Sequence, residues 1–345
     1  MIPYRTSTSK IQINQFKPID NMLKTLSDER LQHVVNTLNE SKTKADAATK
    51  LDLSEETLNR YIRDANGRGI EYTPHNPNIK LPKVFIFDLE NAPSKAALYG
   101  MWKQNINPVQ ITEEWYMLSW SGKWLFDTEM YSDVLTPAEA IEGSDKRIME
   151  SLWSFIDDAD ILIGHNINQF DVLKMNTRFV LNSILPPSPY QTIDTLLAAR
   201  KNFAFSHNKL DYLCEQFGVA QKADNGGMAR WLGCCEGNPE DLIEMEKYNR
   251  QDIVATEELY MALRPWIKTH PNLALYMEAD SDACYKCGST NIKWLYNDSG
   301  EAKYYYTNVN KYPVYRCNEC NSPGRSRHTA MSRDEKKVIT SPVAR

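Results

Sequence analysis

Four apolar residues in a row, Val84 to Phe87, end abruptly at Asp88-Leu89-Glu90. A strand that is apolar at every position offers no face to water. It needs a covering layer on each side and reads as the central strand of a layered α/β domain. Residues two apart on a strand point the same way, so the side chains of Asp88 and Glu90 meet at the edge of that core. Two carboxylates placed there repel each other and lose hydration, so a cation between them is expected. A hard divalent ion suits oxygen donors.

Two further segments bring acids to similar settings. Ile161 to Ile163 lead into Gly164-His165-Asn166 and then Phe170-Asp171 at the start of a predicted helix, with Phe170 expected in the core and Asp171 facing outward. A helical pattern from about Glu240 to Leu263 puts Tyr248 and Asp252, at i and i+4, on one face. All four carboxylates can then converge. An all-oxygen donor set favours magnesium or manganese over zinc. Four carboxylates suffice for two ions roughly 4 Å apart, the arrangement that serves phosphodiester cleavage.

The order FDLE, GHNINQFD, YNRQD resembles the three motifs of the DEDD 3′–5′ exonucleases, whose fold is ribonuclease H-like. Tyr248 in the third motif is similar to the DEDDy branch, as in the proofreading domains of B-family DNA polymerases; the His-containing branch would place His where Lys247 stands. The resemblance covers roughly residues 82 to 268. It implies that Asp88, Glu90, Asp171 and Asp252 hold two Mg2+ or Mn2+ ions, that Tyr248 positions the attacking water, and that Asn166 touches substrate near its 3′ end. The alternative is that these are surface acids at strand and helix ends, with Asp171 favoured by a helix N-terminus. Three other residues have two readings each. His165 is either a contact to phosphate or a hydrogen-bonded structural residue. Asp194 is an acid near the metal or the cap of the next helix. Lys209 lines a substrate channel, by the same resemblance, or is a solvated helix charge.

Cys284-Tyr285-Lys286-Cys287 and Cys317-Asn318-Glu319-Cys320 are two C-x-x-C pairs. They resemble a zinc ribbon, in which four thiolates hold one structural Zn2+. The stretch between them exceeds the usual ~15–20 residues. An extended hairpin turning at Asn297-Asp298-Ser299-Gly300 absorbs the excess. Two disulfides are the alternative, disfavoured where thiols stay reduced. The intervening aromatics, including Trp294, Tyr305 and Tyr312, read either as a platform for stacked bases, with Lys293, Lys303 and Lys311 on phosphates, or as the core of a small sheet.

A net charge of −5 argues at first against a nucleic-acid partner. The sign is divided, however: Cys284 to Arg345 holds eleven Lys and Arg against five Asp and Glu, or +6, leaving −11 for residues 1–283. No window approaches eighteen consecutive apolar residues and the N-terminus is polar, so a cytoplasmic protein without membrane contacts is expected.

Near the N-terminus, a helix over 28–38 presents Leu31, Val34, Val35 and Leu38 on one face. Helices over 43–51 and 54–66, separated by a turn at Asp52, resemble a helix-turn-helix, with Arg60 and Arg63 as candidate DNA-facing residues. A helical module for protein contacts is the other reading. The expected layout is this module over 1–72, a linker over 73–82, a ribonuclease H-like mixed sheet flanked by helices over 83–270, a zinc ribbon over 271–330 and a disordered tail over 331–345. Within the sheet, Met117 to Phe126 reads as a hairpin turning at Ser121-Gly122. The expected activity is that of a metal-dependent 3′–5′ exonuclease acting on DNA more than RNA. The alternatives are the same chemistry on RNA or structured DNA, and a DNA-binding regulator or scaffold with an idle nuclease-like core.

Overall fold

A computed structural model describes residues 28–41, 44–54, 57, 58, 61, 62, 65, 70, 82–103, 105–220, 226–277 and 282–340. Helix α1 (Asp28–Glu40) buries Leu31, Val34, Val35 and Leu38. It packs on α2 (Lys44–Leu51) through Ala47 and Ala48. Asp52 makes the following turn in the left-handed region, φ 53°, a conformation that Asp tolerates better than most residues with a Cβ. Ser54 Oγ then accepts the Thr57 N–H at 3.0 Å, an N-cap bond, and Leu58, Ile62 and Ala65 are helical and buried. Arg60, Arg63 and the linker residues 73–81 lie outside the described residues.

The run at Val84 is the central strand of a five-stranded mixed sheet. Strand β1 (Val84–Asn91) is followed by a small outlying hairpin of β2 (Lys95–Ala96) and β3 (Ile111–Glu113). Then β4 (Met117–Trp124) lies antiparallel to β1, and β5 (Tyr131–Val134) antiparallel to β4. After α3 (Pro137–Glu142) and α4 (Lys146–Asp157), β6 (Ile161–Gly164) runs parallel to β1. Past α5 (Asp171–Leu181), β7 (Gln191–Asp194) runs parallel to β6, giving the order β5-β4-β1-β6-β7.

The expected turn at Ser121-Gly122 is not formed. Met117–Trp124 is one unbroken strand paired along β1, and the hairpin is the one it makes with β5. Gly122 serves packing instead: a Cβ there would lie 2.3 Å from the Phe85 ring.

β1 alternates between two cores. Phe85, Phe87 and Leu89 pack with Trp120, Leu152 and Phe179, whereas Val84 and Ile86 pack with Leu213, Leu259 and Leu263. Phe85, Ile86 and Phe87 are wholly buried, and each such side chain stabilises the fold by about 1.5–3 kcal/mol. The second core is closed by α6 (Thr195–Asn202), α7 (Leu210–Phe217) and, beyond α8 (Gly227–Cys235), the long helix α9 (Pro239–Leu263). Asn238 caps α9 by accepting the Glu240 and Asp241 N–H groups, and Pro239 supplies its first turn. The ion pair Lys123–Glu257, 2.5 Å with both side chains 12% exposed, ties α9 to β4. Among the described residues, no helix is long and apolar enough to cross a membrane.

The C-terminal sheet comprises β8 (Ile292–Trp294), β9 (Tyr304–Tyr306), β10 (Lys311–Cys317) and β11 (Pro323–Arg325), with β8, β9 and β11 each paired to β10. Its hairpin turns at Asn297–Gly300 as expected, with Gly300 at φ 79° and the bridge Tyr296–Ala302 closing it. The tail departs from expectation. Ser332 and Glu335 form a capping box that starts a short helix, α10 (Arg333–Lys337), because each satisfies a backbone N–H of the other.

Candidate active site

Asp88 and Glu90 sit two apart on β1, on the side that faces α9. Asp252 comes from the buried face of α9, and oxygens of the three carboxylates all lie within 4.8 Å of one another. Two unit charges at that distance repel by roughly 3 kcal/mol at an effective dielectric of 20. The triad therefore needs a cation or protons to persist. A hard divalent ion fits this all-oxygen set better than zinc.

Asn249, which the sequence motifs do not single out, holds Asp88 in place. It is wholly buried and donates from Nδ2 to Asp88 Oδ2 at 2.7 Å. Its own oxygen lies 3.5 Å from Ser119 Oγ on β4. The available signal was position: Asn249 is three residues before Asp252, hence on the same helix face.

Asp171 approaches from the other side. β1 extends beyond its last pair with β6, Ile86–Ile163, and the Leu89 N–H donates to Asp171 Oδ1 at 3.2 Å. The orientation is the reverse of the one expected: Asp171 is 2% exposed, whereas Phe170 is 38% exposed. The reason is that Leu89 offers a backbone donor inside the fold, which an acid at the first turn of α5 can satisfy and a phenyl ring cannot. Burial first, and then the Asp88 charge, push the Asp171 carboxyl well above the usual carboxylate range. Asp171 thus senses the triad electrostatically, although the grouping within 4.8 Å comprises Asp88, Glu90 and Asp252.

Tyr248, one turn before Asp252, is 4% exposed, with the Trp231 ring against it edge-on at 6.1 Å. Asn166 is half-buried at the turn after β6, with φ 67°. Asp194 shapes that turn. Its carboxylate accepts the N–H groups of Asn166 (3.2 Å) and Asn168 (3.3 Å) and also caps α6 through Leu197 N–H (3.0 Å). Its observed contacts are those of a cap. Both ring nitrogens of His165 are engaged within the protein, Nε2 with the Asn208 carbonyl at 3.0 Å and Nδ1 with Thr195 Oγ1 at 2.9 Å. A carbonyl can only accept, so Nε2 carries the proton in the neutral ring. Lys209 is exposed at the N-terminus of α7.

The four C-terminal cysteines form a second centre. All are buried free thiols, with Sγ–Sγ distances of 3.6 Å for both Cys284–Cys320 and Cys287–Cys317. That is far beyond a disulfide bond and close to the ~3.8 Å edge of a tetrahedron with 2.3 Å metal–sulfur bonds. Hydrogen bonding with a neighbouring sulfur, Cys287 for Cys284 and Cys284 for Cys320 foremost, holds the Cys284 and Cys320 thiols below the ordinary range, while the Cys284 neighbour raises Cys317. This sharing of protons among four sulfurs suits a thiophilic ion.

No curated protein matches the chain. One solved structure similar to it is the family B DNA polymerase from the hyperthermophilic archaeon Pyrobaculum calidifontis, at 14% identity and a TM-score of 0.36. That alignment covers 68% of this chain and 33% of the polymerase, so the chain spans about a third of its length. Residues 126–264, which include Asp171, Tyr248 and Asp252, match the sequence model of the RNase_H superfamily. The mixed sheet flanked by helices and this matched segment together identify an RNase H-like domain.

Proposed function

We propose that the protein is a metal-dependent 3′–5′ exonuclease that hydrolyses DNA phosphodiester bonds. The observation that carries this reading is the meeting of Asp88, Glu90 and Asp252 within 4.8 Å, with buried Asp171 beside them in an RNase H-like domain. Asp88, Glu90, Asp171 and Asp252 would hold two Mg2+ or Mn2+ ions. When bound, such ions supply Lewis acidity for the scissile phosphate and lower the pKa of a water.

The chain's own residues prepare that chemistry. Asn249 fixes the Asp88 rotamer, and the Leu89 N–H fixes Asp171. Tyr248 orients the attacking water, and Asn166 steadies the terminal nucleotide. Water oxygen bonds to phosphorus as the bond from phosphorus to the 3′ oxygen breaks. The leaving oxygen takes a proton, and a nucleoside 5′-monophosphate departs. The cysteine centre would hold one structural Zn2+, since four thiolates leave no open position for water. The N-terminal helices and the basic C-terminal module would deliver nucleic acid.

The test is purified protein with magnesium or manganese and matched single-stranded and duplex DNA, labelled separately at each end, with RNA and Asp171→Ala as controls. A ladder shortening from the 3′ end and absent in the variant supports the proposal. Degradation that survives chelation of the metal, or equal activity in Asp171→Ala, overturns it; faster turnover of RNA reassigns the substrate.

A further inference from the structure

The C-terminal sheet has two faces with opposite chemistry. On β10, Tyr315 and Cys317 are buried and point into the cysteine core, where Tyr315 meets Trp294 edge-on at 5.6 Å. Alternation sends Tyr312, Val314 and Arg316 to the other face. Register adds the neighbours: Arg316 lies opposite Lys293, Val314 opposite Arg325, and Tyr312 opposite Tyr305. Lys293, Arg316 and Arg325 are exposed, as is Tyr305 at 54%. The Arg325 guanidinium lies 4.2 Å from the Tyr312 ring centroid and 5.8 Å from that of Tyr305.

Two observations on this face favour an anionic ligand. Lys293 and Arg316 are like charges directly opposite on adjacent strands, an arrangement that destabilises a sheet. Among the described residues, Lys293, Arg316 and Arg325 have no carboxylate partner; their polar bonds are to the backbone oxygens of Asn321 and Ser326, from the two arginines. By contrast Lys311, of opposite parity on β10, is paired with Glu335 at 3.4 Å. The excess positive charge of the chain also resides here, with +6 over 284–345.

We infer that the outward face of this sheet binds single-stranded nucleic acid, with Tyr305 and Tyr312 stacking on bases and Lys293, Arg316 and Arg325 neutralising phosphates. Single strands fit because stacking needs an exposed base face, which a duplex hides. The inference rests on nucleic acid being the substrate class proposed above. It assigns the grip on the strand to the face remote from the cysteine core rather than to the carboxylate centre. Lys303 and Lys311, expected from the sequence to follow phosphates, are not needed for it.

The test measures binding of a fluorescein-labelled oligothymidylate to the full chain by anisotropy across a salt series, without added magnesium or manganese. The comparison is between the native chain and Lys293→Gln/Arg316→Gln/Arg325→Gln with unchanged zinc content. Single-strand affinity falls with log salt at a slope of about −0.7 per neutralised phosphate, so removing three cations should flatten the slope by about 2. At 0.1 M salt that corresponds to a loss on the order of a hundredfold. Should the triple variant lose zinc, Tyr305→Ala decides the question. It removes one exposed ring and should weaken binding by roughly tenfold.

An unchanged slope and affinity in the variants, or no binding by the native chain, overturns the inference; the latter would favour an acidic protein partner. Duplex bound as tightly as single strand through the same residues also overturns it. Binding does not require cleavage, so a chain that grips the strand here but degrades nothing defeats the proposed activity alone. Variants that bind normally in a degrading enzyme defeat this inference alone.

Discussion

Changing Asn249 to Asp alters one atom's identity at the heart of the candidate site. The buried amide that donates to Asp88 at 2.7 Å becomes a second carboxylate at the same distance. Two full charges 2.7 Å apart would repel by roughly 6 kcal/mol at an effective dielectric of 20. Sharing one proton is cheaper. Protonating an ordinary carboxyl costs about 1.4 kcal/mol for each pH unit above its pKa near 4, or ~4 kcal/mol at pH 7. The shared proton restores an O–H···O bond in place of the lost N–H···O, so those terms nearly cancel. The pair's folded-state pKa is raised above its unfolded value, so the native state holds the extra proton and the variant's deficit grows as pH rises. Asn249→Asp without metal should therefore be about 4 kcal/mol less stable than the native chain at pH 7 and only ~1.4 kcal/mol less stable at pH 5. Paired urea denaturations at the two pH values, compared between the proteins, measure this. An equal deficit at both pH values, or none at pH 7, would refute the claim that Asn249 acts as the buried donor to Asp88.

Two other residues give sharp expectations. Asp194→Ala removes the acceptor for the N–H groups of Asn166, Asn168 and Leu197. It should lower stability by about 1–2 kcal/mol, seen as a fall in Tm, and loosen the Asn166 turn enough to slow the proposed cleavage. His270, 6% exposed, bonds through Nδ1 to the Pro271 carbonyl and through Nε2 to Tyr260 Oη, and burial, the main cause, pushes its pKa down to about 4. A histidine held below its unfolded pKa binds fewer protons when folded, so its contribution is lost as pH falls from 6.5 toward 4. The loss should reach about 2 kcal/mol by pH 5. Imidazole signals that titrate near 6.5 in the folded chain would contradict that assignment.

What could be read from sequence alone was what depends on runs and spacings. Val84 to Phe87, an apolar run of strand length closed by Asp88, points to a strand covered on both faces, and two C-x-x-C pairs point to a four-sulfur cluster. The departures share one physical origin: the role of a residue depends less on its own chemistry than on a group far away in the chain. Gly122 suggested a turn, but it is small because Phe85 needs the space. Phe170 looked like the buried member of its pair, but Leu89, eighty-two residues away from Asp171, offers an N–H that draws the acid inward. The spacing puts Asn249 on the same helix face as Asp252, but its burial depends on β1 and β4 lying beneath it. The outward basic face needed β10 to be paired in register before Lys293 and Arg316 could be seen as neighbours.

One consequence concerns which lengths in this chain can change. Helix α9 carries Tyr248, Asn249 and Asp252 on a single rigid rod, clamped to β4 by Glu257. One residue inserted between Asp252 and Glu257 would turn the two halves by about 100° relative to each other. Either the clamp or the carboxylate would then leave its place. The β2–β3 hairpin differs, because its tip already projects Tyr99 and Met101 almost fully into solvent, and extra residues there would displace nothing. Length variation should therefore be tolerated at that hairpin and excluded from α9, so relatives of this protein should be alignable without gaps from Tyr248 to Glu257.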